Sequence, residues 1–187
     1  MATARPRISF ILSADDFGIA RGVNSGILQL LEKKRLSAVG CMTTSPLFKE
    51  RGRELLAHKD YTDIGLHFQL TGTDLAAWYG VEKQLKQRES FLGLLRGACS
   101  RQLDLKWVET EFRKQLKFFE ETLKIRPSYI DGHHHVHQFP GIQDVILNVL
   151  KQRYAGDLPY VRTCNEQLST VFRRKISVGR ALYVGFF

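Results

Sequence analysis

The chain has 187 residues, of which 43% are hydrophobic and 25% are charged. This composition is typical of one globular domain and excludes a collagen-like or disordered chain. No apolar run approaches the roughly 20 residues that span a bilayer, and the run at residues 8–12 is too short for the roughly 7–15-residue core of a secretory signal. Three cysteines without a CxxC motif (Cys41, Cys99 and Cys164) indicate reduced thiols, which predicts a cytoplasmic protein.

Basic residues outnumber acidic ones, 28 to 19, and give a net charge of +9. Such a balance is compatible with a module that binds RNA or an acidic glycan. However, basic and acidic residues alternate, as in residues 49–54, and the one tight basic cluster is at 173–175. Solvated helix faces account for this pattern better, and no repeat combines aromatic with basic residues. We therefore expect no nucleic-acid partner and no membrane partner.

Short apolar runs alternate with segments of helical periodicity along the chain. Strands are predicted, in chain order, at residues 8–12 (followed by a turn at 13–18), 36–43, 63–70, 129–132 and 159–163. Helices are predicted from the stripe Val23, Ile27, Leu30 and Leu31, near residues 48–58, over residues 106–124, and after Pro140. Residues 71–90 are predicted to form a long loop with a helical turn. Alternating strands and helices predict an α/β fold with a parallel sheet, either open or closed into a barrel.

Polar side chains collect where three of the predicted strands end. Asp15 and Asp16 follow the first strand, His67 lies in the third, and the fourth runs into the segment DGHHHVH at residues 131–137. Catalytic groups gather at the C-terminal ends of parallel strands, so these side chains are expected to meet. Alone, an Asp pair is commonly a helix cap and a histidine in an apolar strand is commonly a core residue. Four histidines within five positions are harder to attribute to packing, although a surface histidine tract is an alternative.

Imidazole and carboxylate groups together are typical ligands of zinc and other divalent ions. Residues 133, 135 and 137 would share one face of an extended segment, whereas 133 and 137 would share one face of a helix. Either conformation lets at least one of these histidines meet Asp16 and His67. A second carboxylate beside such a site could deprotonate a water that the metal has acidified. The residues themselves therefore predict a metal-assisted hydrolase.

Three motifs resemble those of the YdjC/ChbG-like carbohydrate deacetylase family: ADDFG at 14–18, GLHFQLT at 65–71 and DGHHHVH at 131–137. The resemblance extends from about residue 8 to about residue 163. It implies a distorted (β/α) barrel of the polysaccharide-deacetylase type. It also implies an enzyme that removes an acetyl group from an N-acetylated sugar such as a chitooligosaccharide.

The resemblance also implies roles for individual residues. Asp15 matches the proton acceptor, and Asp16, His67 and His133 match the metal ligands. Family members are described with magnesium, whereas a set of two histidines and one aspartate suits zinc at least as well. The leaving amine would be protonated by His135, by His137 or by a residue of a C-terminal region.

Family members continue beyond the length of this chain. We therefore expect residues 1–187 to form a single catalytic domain that is incomplete at its C-terminus, with an exposed sheet edge that favours a homo-oligomer. Residues 181–187 could add one more strand. A metal-dependent phosphoester hydrolase and an inactive, shortened deacetylase-like protein are the alternatives to an active deacetylase.

Overall fold

A computed structural model of the protein describes residues 9–71 and 90–163. Its strands are β1 (Ser13–Phe17), β2 (Ala38–Cys41), β3 (Asp63–Phe68), β4 (Tyr129–Gly132) and β5 (Tyr160–Val161). They form a parallel sheet in the order β1-β2-β3-β4-β5. The predicted α/β class is confirmed. Neighbouring strands of the sheet are also consecutive in the sequence, which is the strand order of a (β/α) barrel.

Helical segments connect the strands. They are α1 (Arg21–Glu32), α2 (Pro46–Arg51) with a 3₁₀ continuation (Gly52–His58), α3 (Phe91–Cys99), α4 (Leu105–Leu123), a 3₁₀ segment (His133–Gln138) and α5 (Ile142–Arg153). The four predicted helices are confirmed, and α3 is additional. The predictions for residues 72–89 and 181–187 lie outside the described residues.

The predicted position of the first strand was wrong. The strand occupies residues 13–17, and the apolar residues Phe10, Ile11 and Leu12 before it are exposed. Hydrogen bonding to β2 decides where the strand begins. The backbone N–H groups of Ser37 and Ala38 donate to the carbonyl of Leu12, and the paired residues of the two strands start directly after it, with Ser13 opposite Ala38. The carboxylates assigned to a turn are therefore part of β1 itself.

Helix α4 packs an apolar stripe against the sheet. Asp104 caps it by accepting hydrogen bonds from the backbone N–H groups of Lys106 (3.0 Å) and Trp107 (3.1 Å). The stripe predicted from the sequence is buried, as expected, and consists of Val108, Phe112, Leu116, Phe119 and Leu123. Burial of each such side chain stabilises the folded protein by about 1.5–3 kcal/mol.

One polar residue of α4 is buried with this stripe and fixes the end of β3. The Gln115 side chain accepts from the backbone N–H of Gln69 (3.0 Å) and donates to its carbonyl (2.7 Å). Gln69 follows β3 directly, two residues after His67. Helix packing is thereby coupled to the strand end that carries a candidate ligand.

Tyr129 of β4 fills the space on one face of the sheet. Its ring crosses Gly65 of β3, where an added Cβ would lie 2.5 Å from ring atoms, and its hydroxyl lies 3.3 Å from Oγ of Ser13 on β1. Its other side stacks on Tyr160 of β5, with ring centroids 5.3 Å apart. Only glycine at position 65 admits this ring, so the sequence of β3 is fitted to a side chain of β4.

Among residues 9–71 and 90–163, no helix is both long and apolar enough to cross a membrane.

Candidate active site

A β-bulge at the end of β1 presents two adjacent carboxylates to one site. Consecutive strand residues ordinarily point to opposite faces. Here the register with β2 shifts between Ala14 and Phe17, and Asp16 adopts a left-handed conformation with φ of 63°. Bulges re-aim side chains in this way, and aspartate tolerates the left-handed region better than most residues. Asp15 and Asp16 are therefore both near His67 of β3.

The turn after this bulge requires glycine. Gly18 has φ of 110°, and a Cβ there would lie 2.9 Å from the carbonyl oxygen of Met42. Its backbone N–H donates to Oδ1 of Asn24 in α1, at 2.6 Å. The turn is thereby held against the helix that follows it.

Asp16, His67 and His133 form a cluster with the geometry of a metal centre. Oδ1 of Asp16 lies 3.1 Å from Nε2 of His67 and 2.9 Å from Nδ1 of His133. All three donor atoms lie within 4.8 Å of one another. One carboxylate oxygen and two imidazole nitrogens are the donors that zinc and related divalent ions take in catalytic sites. The residues present therefore fit a divalent ion.

Opposite charges hold the three side chains of this cluster together. Partial burial opposes ionisation of Asp16, but hydrogen bonds with His133 and His67 hold its pKa well below the ordinary value. Burial likewise opposes protonation of His67, but its bonds to Asp131 and Asp16 raise its pKa to about 9. Protons and a metal ion would compete for the same nitrogen.

The histidine segment is neither extended nor a regular helix. It is a 3₁₀ segment interrupted at His134 and His135, whose φ angles are 55° and 57°. An extended segment would turn the side chain of His134 away from that of His133, but here the two rings lie against each other, with centroids 4.0 Å apart. Nδ1 of His134 lies 2.9 Å from Oγ1 of Thr71. Among the histidines of residues 133–137, His133 is the one that contacts the carboxylate of Asp16.

The two histidines considered for protonating the leaving amine differ in environment. His137 is buried, and its Nε2 donates to the backbone carbonyl of Arg162 at 2.8 Å. Burial lowers its pKa to about 4, so it is neutral at physiological pH. His135 is half-buried. The environment of His137 is that of a structural residue.

Arg162 binds the carboxylate of Asp15 with both ends of its guanidinium group. The distances are 2.7 Å from Nη1 to Oδ1 and 2.8 Å from Nη2 to Oδ2, a bidentate pair. Ser13 donates a further bond to Oδ1, at 3.1 Å. Burial opposes ionisation of Asp15, but these contacts with Arg162 lower its pKa. Asp15 is therefore ionised at neutral pH.

Asp131 lies between the cluster of Asp16, His67 and His133 and the ion pair of Asp15 with Arg162. Its Oδ1 is 2.7 Å from Nδ1 of His67, and its Oδ2 is 2.9 Å from Nη2 of Arg162. Asp15, His67 and Asp131 also satisfy the spacing for a metal, but the guanidinium of Arg162 already lies between the two carboxylates.

No role was predicted from the sequence for Asp131 or Arg162. Asp131 stands within a motif that was noted for its histidines. Arg162 directly follows β5, and the rule that functional groups gather at strand ends could have identified it.

The fold and the site together define an α/β protein whose parallel strands bring a candidate divalent-metal site and an adjacent carboxylate to their C-terminal ends. The chain belongs to the YdjC-like protein family, whose model matches residues 9–183. It is 30% identical over 167 residues to a carbohydrate deacetylase of Geobacillus stearothermophilus, and the match covers 86% of this chain and 63% of that relative. It is 30% identical over 144 residues to a chitooligosaccharide deacetylase of Yersinia pestis (strain Pestoides F), with 76% of this chain and 56% of the relative covered.

A solved structure has the same fold. It is a protein of Enterococcus faecalis V583 described as a cellobiose-phosphate cleavage protein, with a TM-score of 0.61 and 23% identity. The match covers 94% of this chain and 63% of that one. The chain thus spans less than two thirds of the length of each of these relatives.

Proposed function

We propose that this chain is a metal-dependent hydrolase that removes acetyl groups from N-acetylated carbohydrates of the chitooligosaccharide class. The observation that carries the proposal is the cluster of Asp16, His67 and His133 with the ionised carboxylate of Asp15 beside it. The names of the relatives, carbohydrate deacetylase and chitooligosaccharide deacetylase, support the substrate class.

Asp16, His67 and His133 would hold the ion. A divalent cation bound there would supply Lewis-acid chemistry, lowering the pKa of a nucleophilic water and polarising the acetamide carbonyl. The donor set favours zinc, whereas the family resemblance favours magnesium. The ligand environment is open on one side, because Asp16 and His133 are only partly buried while His67 is buried.

Asp15 acts as the general base. It accepts the proton of the attacking water while Arg162 keeps the carboxylate in place and ionised. Oδ2 of Asp15 has a lone pair beyond the one that Arg162 uses, so a water can still bond to it. Of the two candidate histidines, we propose that His135 protonates the departing amine, because the Nε2 of His137 is bonded to the carbonyl of Arg162.

The free thiols of Cys41 and Cys99 support a cytoplasmic location, which we also propose. Cys41 is buried, and burial raises its pKa, so its thiol is unreactive.

A substrate panel tests the proposed reaction. The zinc- and magnesium-loaded protein is incubated with N,N′-diacetylchitobiose, with its fully deacetylated counterpart, and with a sugar phosphoester. Acetate release from the first compound alone is expected. Phosphate release from the ester without any acetate would assign the site to phosphoester hydrolysis and overturn the proposal.

A further inference from the structure

Asp131 is a completely buried carboxylate, and its two oxygens contact different residues of the site. It lies on β4 directly opposite His67 of β3 in the sheet register. Oδ1 faces His67 at 2.7 Å, and Oδ2 faces Arg162 at 2.9 Å. A buried carboxylate is costly unless it is paired, so this arrangement is maintained against a substantial desolvation penalty.

The contact with His67 fixes which nitrogen of the imidazole is free. Both ring nitrogens of His67 face a carboxylate oxygen, Nδ1 that of Asp131 at 2.7 Å and Nε2 that of Asp16 at 3.1 Å. A cation bound beside Asp16 would need the lone pair of Nε2, so the single proton of the neutral ring belongs on Nδ1, where Asp131 accepts it over the shorter distance. A carboxylate behind a ligand histidine also fixes the orientation of the ring.

The contact with Arg162 holds the guanidinium against the base. Nη2 donates to Oδ2 of Asp15 at 2.8 Å and lies 2.9 Å from Oδ2 of Asp131, an ion pair without hydrogen-bond geometry. Nη1 completes the pair with Asp15 at 2.7 Å. From the side of β4, Asp131 contacts the guanidinium group itself, whereas Ile130 accepts only from the backbone N–H of Arg162.

We propose that Asp131 is a positioning residue that links the metal ligand to the base: it selects the ligating tautomer of His67 and orients Arg162 on Asp15. This inference rests on the proposed function for its catalytic part, whereas its metal-binding part stands on the geometry of His67. Asp131 acts through these two neighbours and has no assigned contact with substrate.

Asp131→Asn separates the two links, because an amide presents one acceptor and one donor where the carboxylate presents two acceptors. If the amide oxygen faces Arg162, the NH₂ group faces Nδ1 of His67 and forces the proton to Nε2. The opposite arrangement would set the NH₂ group against the charged guanidinium, donor against donor, so the amide oxygen takes the side of Arg162. Asp131→Asn therefore breaks the link to His67 while leaving the volume of the side chain unchanged.

Zinc titration of chelator-treated protein tests the first link without any substrate. We expect Asp131→Asn to weaken zinc binding 10–100-fold, and the matched variant Arg162→Gln to leave zinc affinity within about threefold while lowering acetate release. Equal zinc affinity in Asp131→Asn and wild type would overturn the proposal, as would an equal loss in both variants. Because this comparison uses metal alone, it is decided even if wild type releases no acetate.

Nitrogen NMR of the wild-type, metal-free protein tests the tautomer directly and does not depend on any variant folding. Histidine labelled with ¹⁵N is observed at a pH high enough to leave the imidazole neutral. We expect His67 to carry its proton on Nδ1 in wild type and on Nε2 in Asp131→Asn. A wild-type His67 protonated on Nε2 would overturn the proposal.

Discussion

Nδ1 of His133 lies 2.9 Å from Oδ1 of Asp16, although 117 positions separate the two residues in the chain. Asp16 is aimed by the bulge of β1, and His133 directly follows β4. His67 of β3 reaches the same carboxylate oxygen. The centre therefore depends on three strand ends being held in register, and each contact can be tested separately.

Alanine substitutions of the three proposed ligands should each weaken metal binding by about 100-fold or more, since removal of an orienting group alone costs 10–100-fold. Calorimetric zinc titration of Asp16→Ala, His67→Ala and His133→Ala measures this loss. His58→Ala is the matched control, because His58 contacts Tyr61 instead of the cluster. Full zinc content in His133→Ala would transfer the ligand role to another histidine.

Metal affinity should fall as the solution becomes more acidic. The contacts with Asp131 and Asp16 raise the pKa of His67 to about 9, so at neutral pH the metal-free ring must release a proton before it binds an ion. One released proton predicts a loss of about tenfold in affinity per pH unit between pH 8 and pH 6. Titrations in two buffers of different ionisation enthalpy give the proton count directly, and a pH-independent affinity would refute this prediction.

Buried His137 should make the fold less stable in acid. Burial lowers its pKa from 6.5 to about 4, so the unfolded chain takes up this proton at a higher pH than the folded protein does. The contribution is complete above pH 6.5 and is lost as pH falls towards 4, by about 3 kcal/mol at most. Urea unfolding at pH 7 and pH 4.5 measures it. His137→Asn should lose this part of the pH dependence, and an unchanged difference between the two pH values would contradict the assignment.

Gly65→Ala should destabilise the sheet, because the new Cβ would lie 2.5 Å from ring atoms of Tyr129. Overpacking of this kind costs about 1–3 kcal/mol. Gly26→Ala is the matched control, since nothing lies within 4 Å of a Cβ built on Gly26 in α1. That variant should be more stable than wild type by about 0.5–1 kcal/mol. Equal unfolding midpoints for Gly65→Ala and wild type would show that the ring moves aside freely.

The sequence predicted the elements whose signals are local. The stripe of α4 repeats every three or four residues, and β4 is a short segment between Pro127, which stops the preceding helical pattern, and the histidine run, so both were placed correctly. The first strand was misplaced because its position depends on hydrogen bonds to β2, which the apolar pattern of residues 8–12 does not report. Periodicity also gives no sign of a bulge or of two consecutive left-handed histidines.

The meeting of Asp16, His67 and a histidine of the cluster was predicted from the rule that parallel strand ends converge. Spacing alone left His133, His135 and His137 as alternatives, because the choice depends on the irregular conformation at His134 and His135. The roles of Asp131 and Arg162 could not be read from composition. Both follow from contacts between residues distant in the chain, Asp131 with His67 and Arg162 with Asp15.

The most direct test of the account compares Asp15→Asn with wild type, each loaded with zinc or magnesium, in acetate release from N,N′-diacetylchitobiose. Asparagine preserves the shape of the side chain and removes the proton acceptor, and Asp15 is not one of the three proposed ligands. We predict metal affinity within a few-fold of wild type and a loss of about 10²–10⁴ in turnover, the usual contribution of a general base. Retained turnover in metal-loaded Asp15→Asn would contradict the assignment of Asp15 as the base.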